Sequence, residues 1–288
     1  MEKINKKVLI LAENLEVNRT SSGLRSNKQI LLYDRYFKDV EVLTTTHFQN
    51  FKQIANVSYT YIDLSSIKPF FFDKTPKIKA IVPFFTGFNF KEIQAIHEWQ
   101  VAIKNTLKMS KKDLIIVLGT GVRHIPSFAM LSIKKAYYGK YLQFVHDPFP
   151  GICYPEPYKK EESRNQRLKK RKFKKLLNKA DIISYPSLEL QKWMQKHYGE
   201  NLSNKSILQY HIGLERHELK SIINVTKTNK LSFQKGLNLT HTGTLIDHRD
   251  PRYLFQAFDK FLKDYPEARE DFYINIIGKV ANFWSELI

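Results

Sequence analysis

Short apolar runs alternate with longer amphipathic stretches along the whole of this chain. Residues 7–13 (KVLILAE), 113–118 (DLIIVL), 141–145 (YLQFV) and 181–185 (DIISY) are apolar with little period-two alternation. Runs of that length fit strands covered on both faces, as in a parallel sheet. Further strands are expected over residues 40–46, 59–64, 79–85, 205–211 and 272–277.

Between them, apolar residues recur at helical spacing. One helix is expected after Gly23, carrying Leu24, Leu31, Leu32 and Tyr36, and another through residues 90–108, with Ile93, Ile96, Ile103 and Leu107. A third carries Phe173, Leu176, Leu177 and Ala180, and a fourth Leu190, Trp193, Met194, His197 and Tyr198. Ser187 is placed to cap the fourth helix and Gly199 to end it. Strand and helix in this order predict βαβ units and an α/β fold.

One stretch combines the signals. Leu237 and Leu239 lead an apolar segment into Gly243, and a polar loop runs to Asp250 and Pro251. Leu254, Phe255, Phe258, Phe261 and Leu262 then form a helical stripe. The Asp250 carboxylate is placed to accept an orphan N–H, and proline suits the first helical turn. A glycine turn aimed at a helix N-terminus suits an anion such as a diphosphate, although most βα turns bind nothing. A second glycine turn, Gly119-Thr120-Gly121, is half of a dinucleotide fingerprint whose third glycine position holds His124. It reads equally as a plain turn at a strand end.

Composition narrows the class. The 288 residues suffice for two ordinary domains, and residues 214–235, polar and Lys-rich, mark the linker between residues 1–213 and 236–288. Cys153 is the single cysteine, which fits a reducing, cytoplasmic setting. The apolar part of the N-terminal segment is too short for a secretory signal, and no run reaches the roughly 20 apolar residues of a membrane span.

The net charge is +19, and residues 159–179 hold eleven Lys or Arg against two Glu. Such an excess implies an anionic partner, or simply a solvated helix face. Residues 68–76 (KPFFFDKTP) read as an irregular segment that would expose Phe70 and Phe72. Metal-ligand spacing is absent: His241 and His248 stand too far apart for one helical turn.

Taken in order, residues 180–199 (ADIISYPSLELQKWMQKHYG), 205–215 (KSILQYHIGLE), 237–258 (LNLTHTGTLIDHRDPRYLFQAF) and 272–278 (FYINIIG) resemble the bacterial GT-B glycosyltransferases, in particular the retaining group 1 (family four-like) enzymes. The resemblance implies two Rossmann-like domains, the first for the acceptor and the second for a nucleotide-sugar. It implies donor-phosphate contacts at Gly243, Thr244 and Arg249, although Thr244 stands where the family commonly has arginine. It places His146 near the donor sugar in the cleft and Ser21, Ser22 and Gly23 in the loop after the first strand. Arg25 then faces an anionic acceptor or phosphate. Asp147 would serve as general base in an inverting enzyme, or merely end a strand.

The family's paired glutamates would lie beyond residue 288, and Glu286 is not part of such a pair, so the chain is expected to be truncated in its second domain. The implied partners are a nucleotide-sugar donor and a glycan or polyprenyl-phosphate-linked acceptor in cell-surface polysaccharide synthesis, with no cofactor beyond the donor. An anionic membrane surface would suit the basic segment. Two other classes stay open. A nucleic-acid-binding protein would use the same charge but lacks a reading motif, and a non-catalytic remnant would keep the fold without transfer.

Overall fold

The computed structural model describes residues 2–16, 21–64, 83–119, 123–156, 158–213, 235–243, 245, 250–278 and 280. The aromatic segment 68–76, linker residues 214–234, Thr120, Gly121, Thr244, Arg249 and Glu286 lie outside the described residues. The chain divides into two compact units, Met1–Ile212 and Gly213–Ile288.

The first unit is built on seven parallel strands: β1 (Ile4–Ala12), β2 (Phe37–Thr44), β3 (Val57–Tyr61), β4 (Lys112–Gly119), β5 (Tyr138–Val145), β6 (Ile182–Tyr185) and β7 (Ser206–Leu208). Their spatial order is β3-β2-β1-β4-β5-β6-β7. The order reverses between β1 and β4, and in open parallel sheets ligands bind outside the carboxyl ends of the strands at such a switch point.

The central strands β1, β4, β5 and β6 bury both faces toward their carboxyl ends, as their unbroken apolar runs require, while the edge strands β3 and β7 stay largely exposed. Val8, Ile10 and Ala12 of β1 join one core cluster, and Leu9 and Leu11 join the other. Helix α1 (Ser21–Tyr36) covers the first face, placing Ile30 and Tyr33 in its cluster. The second face carries α2 (Phe90–Met109), α3 (Ile125–Ala129), α4 (Arg164–Lys179) and α5 (Leu188–Tyr198). The ring of Phe173 on α4 is fully buried there, 4.9 Å from Phe149, 5.0 Å from His124 and 5.7 Å from Tyr198 between centroids.

The helix ends follow their local chemistry. Ser187 Oγ accepts the Leu190 N–H at 3.2 Å and Gly199 closes α5 at φ 115°, both as expected from sequence. Asn89 and Glu92 form a reciprocal capping box on α2, and Lys169 Nζ reaches the same Glu92 at 2.8 Å, tying α4 to α2. Lys205 Nζ donates to the carbonyls of Leu177, Asn178 and Ala180 at the end of α4. Lys179 does the same for Met130, Leu131 and Ile133. Part of the basic excess is therefore spent on helix C-termini, where cations meet unpaired carbonyls.

Three expectations change. The strand expected over 79–85 is not formed in its described part, because residues 83–86 make a helical turn closed by the Gly87 N–H on the Pro83 carbonyl at 2.8 Å. Helix α1 begins at Ser21, so Ser21, Ser22 and Gly23 are its first turn and not a loop. Its buried face is Gly23, Ser26, Ile30 and Tyr33, while Leu24 and Tyr36 are exposed. The small residues Gly23 and Ser26 let the helix approach closely: a Cβ on Gly23 would stand 2.1 Å from the Glu16 carbonyl oxygen.

The second unit holds β8 (Leu237–Thr242) and β9 (Phe272–Ile277), paired in parallel, with α6 (Arg252–Asp264) between them. Asp250 Oδ1 accepts the Arg252 N–H at 2.9 Å, as expected, but Pro251 is the N-cap and the helix starts one residue later than expected, at Arg252. Phe258 and Phe261 of α6 pack on Phe272 with centroids 5.0 and 5.4 Å apart. No residue of α6 is fully buried.

Candidate functional site

Two strands of the first unit, β1 and β5, end in groups with chemistry. The apolar run of β5 stops where Pro148 and Pro150 forbid the ladder to continue, leaving His146 and Asp147 as the first residues past the sheet. On the α1 side of the same edge, Arg25 Nη1 stands 2.6 Å from His146 Nδ1. A guanidinium has donors only, so Nδ1 accepts and the ring proton belongs to Nε2. That Nε2 is buried and has no partner among the described residues.

Burial first, then the Arg25 charge, then His211 and His124, bring His146 down to about 2, so its imidazole is neutral at ordinary pH. The His211 ring stacks on it, 5.7 Å between centroids and 6° from parallel. Burial also lowers Arg25 from its usual value, with Asp147 opposing. Partial burial and Arg25 hold His211 below its ordinary value, again with Asp147 opposing.

A cleft of about 320 Å³ opens beside this group, lined by Ser21, Leu24, Arg25, Lys28, Gln29 and His211 among others. Gln29 is 2% exposed, and neither its Oε1 nor its Nε2 has a partner among the described residues. Buried polar groups are normally satisfied, so two unpartnered side chains beside one cationic cleft mark a place for a polar anionic ligand.

Sequence reasoning missed Glu13. It follows β1 at the switch point, and by register it aligns with Gly119 and Val145, one position short of His146. Two strand spacings separate β1 from β5, about 10 Å. Burial raises the Glu13 carboxyl to about 7, with Arg123 opposing. The only signal in the sequence was a carboxylate closing the first buried strand.

The remaining candidates fall differently. Arg25, His146 and Asp147 gather at one edge, with Ser21 lining the same cleft and Gly23 setting the approach of α1. Ser22 Oγ receives the Asn14 side-chain amide at 3.4 Å. Gly119 of the second glycine turn is held by packing, since a Cβ there would stand 2.4 Å from the Phe144 carbonyl oxygen. His124 is buried in a left-handed conformation at φ 52°, and burial lowers it to about 4. In the second unit, the Gly243 N–H is donated to the Ile277 carbonyl at 2.8 Å, so it extends the β8–β9 ladder.

No protein-family model and no curated protein matches the chain. Among solved structures it is similar to the N-terminal domain of Candida albicans trehalose-6-phosphate phosphatase, with TM-score 0.54 and 14% identity over 100% of this chain and 67% of that one. A second is a trehalose-6-phosphate structure from E. coli bound with UDP-2-fluoro glucose, with TM-score 0.52 and 11% identity over 96% and 65%. The chain spans about two thirds of the length of these structures. Likeness at this identity concerns architecture alone, and the architecture is α/β of the Rossmann-like GT-B type.

Proposed function

We propose that this protein is a glycosyltransferase that moves a sugar from a nucleotide-sugar donor to a phosphorylated or polyprenyl-phosphate-linked glycan in cell-surface polysaccharide synthesis. The observation that carries the reading is the Arg25–His146 pair, a fixed cation on a neutral imidazole whose second nitrogen is buried and has no partner among the described residues. That arrangement offers a donor N–H to a sugar hydroxyl or phosphoryl oxygen while Arg25 and Lys28 supply positive potential in the cleft.

Within this reading, residues 1–213 bind the acceptor, residues 214–235 are the linker and residues 236–288 belong to the donor domain. Gly243, Thr244 and Arg249 meet the donor diphosphate. Asp147, or Glu13 at about 7, takes the proton from the acceptor hydroxyl, since a carboxyl poised near neutrality both accepts and returns a proton. Leaving-group stabilisation by dipoles and cations needs no metal. The exposed Phe84 and Phe85 and the basic face of α4 support an acceptor presented at an anionic membrane.

Calorimetry with a panel of nucleotide-sugars, followed by assay of nucleoside diphosphate release with a phosphorylated glycan acceptor, tests the proposal. Binding and release that both fall in Arg25→Ala and His146→Ala support it. Absence of any nucleotide-sugar binding would overturn transfer and leave a non-catalytic protein of the same fold, a reading favoured by the commitment of the Gly243 N–H to Ile277.

A further inference from the structure

A cleft of about 700 Å³ lies where α4, residues 151–156 and 158–162, and the C-terminal end of α5 meet. It is on the far face of the sheet from Arg25, because Phe173 and Leu177 of α4 and Met194 and Tyr198 of α5 pack in the cluster that α1 does not share. Lys159, Lys160, Arg167, Lys170, Arg171 and Lys174 line it against three glutamates, an excess of three positive charges. Arg167 meets Glu162 at 3.4 Å, and no ion pair among the described residues engages the other five.

The spacing within α4 sharpens the point. Arg167, Lys170, Arg171 and Lys174 lie three and four residues apart, so they share one helix face and repel, at about 0.2–0.5 kcal/mol per pair. An ordinary solvated helix would leave them open to water. Here they share a cleft with the preceding segment, which closes on itself: the Lys160 N–H donates to the Gly151 carbonyl at 3.0 Å, and a Cβ on Gly151 would stand 2.6 Å from Lys160 Cδ.

The floor is polar as well. His197 lines the cleft, and its Nε2 is buried without a partner among the described residues. Beside it Tyr198 is buried, with Lys170 Nζ 5.9 Å from its ring centroid. A concave wall, converging cations and an unpartnered imidazole nitrogen together match a compact group with several negative oxygens. No aromatic ring in the basic run is placed to stack bases, which counts against a nucleic-acid strand.

We infer that this cleft binds a multivalent phosphate group, carried either by a soluble oligophosphate or phosphorylated glycan or by an anionic lipid headgroup. The site is independent of the Arg25–His146 cleft, and its occupant need not be a substrate. It does not rest on the proposed transfer activity.

The test uses the full chain, with inorganic tripolyphosphate as probe in calorimetry at about 150 mM salt, where long-range surface attraction is largely screened. Arg171→Glu/Lys174→Glu reverses two exposed charges on the cleft, and Lys108→Glu/Lys111→Glu reverses two exposed charges elsewhere. Expected are binding by the wild type, displacement of the His197 imidazole resonances on saturation, and at least a tenfold loss, about 1.4 kcal/mol, in the cleft variant only.

Retention on phosphatidylglycerol vesicles that the cleft variant loses assigns the group to a lipid headgroup. Tripolyphosphate binding without vesicle retention assigns it to a soluble phosphate. Equal losses in the two variants, binding that leaves His197 unmoved, or no binding of either probe overturns the inference. So does an oligonucleotide that binds the wild type more tightly than tripolyphosphate does.

Discussion

Arg25 Nη1 lies 2.6 Å from His146 Nδ1, joining the first helix of the chain to the end of the fifth strand across 121 residues of sequence. The contact fixes the tautomer of His146 and leaves its Nε2–H a donor without a partner among the described residues.

If this pair holds a phosphoryl or sugar oxygen, Arg25→Ala should weaken binding of a sugar phosphate by about 1.5–3 kcal/mol, the range of a charged hydrogen bond. His146→Ala should cost a comparable amount. The double variant should fall short of the sum, because each residue acts through the other. Calorimetric Kd values for the four proteins check this. Additive losses would mean that the two side chains contact the ligand independently.

Gly23→Ala tests how α1 is held. The added methyl meets the Glu16 carbonyl oxygen, a backbone atom that cannot swing away as a side chain would. The helix must move outward, and Arg25 moves with it. Thermal unfolding should fall by several degrees, as for a loss of about 1–3 kcal/mol by overpacking. Sugar-phosphate binding should drop although the substituted residue bears no functional group.

Phe173→Ala should destabilise by about 3–5 kcal/mol, the usual cost of a fully buried ring left as a cavity. The ring touches Phe149, His124 and Tyr198, so near-ultraviolet dichroism should change along with the denaturation midpoint. A loss under about 1 kcal/mol would mean that the core collapses around the gap.

Glu13 and His146 predict opposite pH dependences. Glu13 has its folded value raised to about 7, so the folded state binds its proton more tightly than the unfolded chain does. Its contribution is complete below the ordinary carboxylate range and disappears as pH rises through 7. His146 has its folded value lowered to about 2, so its neutral ring favours folding above the ordinary histidine range, and that contribution declines as pH falls below it. Glu13→Gln should therefore gain stability relative to the wild type between pH 4.5 and 7. His146→Gln should lose less stability than the wild type on acidification from pH 6.5 toward 4. Urea midpoints across that range measure both.

The strands were legible because each is a compact apolar run, and the helices because their apolar stripes keep the 3.6-residue period. The capping of α5 by Ser187 and the acceptance of the Arg252 N–H by Asp250 before α6 were legible for the same reason: such contacts are decided within three residues. The region before Gly87 misled, since an aromatic run beside a proline satisfies strand propensity and gives no sign of the turn that ends it. The buried face of α1 misled too, because closeness of approach through Gly23 and Ser26 outweighed the hydrophobicity of Leu24 and Tyr36.

Sequence alone determined the α/β class and the parallel sheet, since these follow from residue type and local spacing, whereas Arg25 and His146 were candidates only through the family resemblance. Only the tertiary structure decided that Arg25 and His146 touch, that His211 stacks on His146, that Gln29 has no partner among the described residues beside them and that Glu13 closes the strand at the switch point. The order β3-β2-β1-β4-β5-β6-β7 puts residues far apart in sequence at one edge of the sheet, and strand order is a property of packing that no local run of residues encodes.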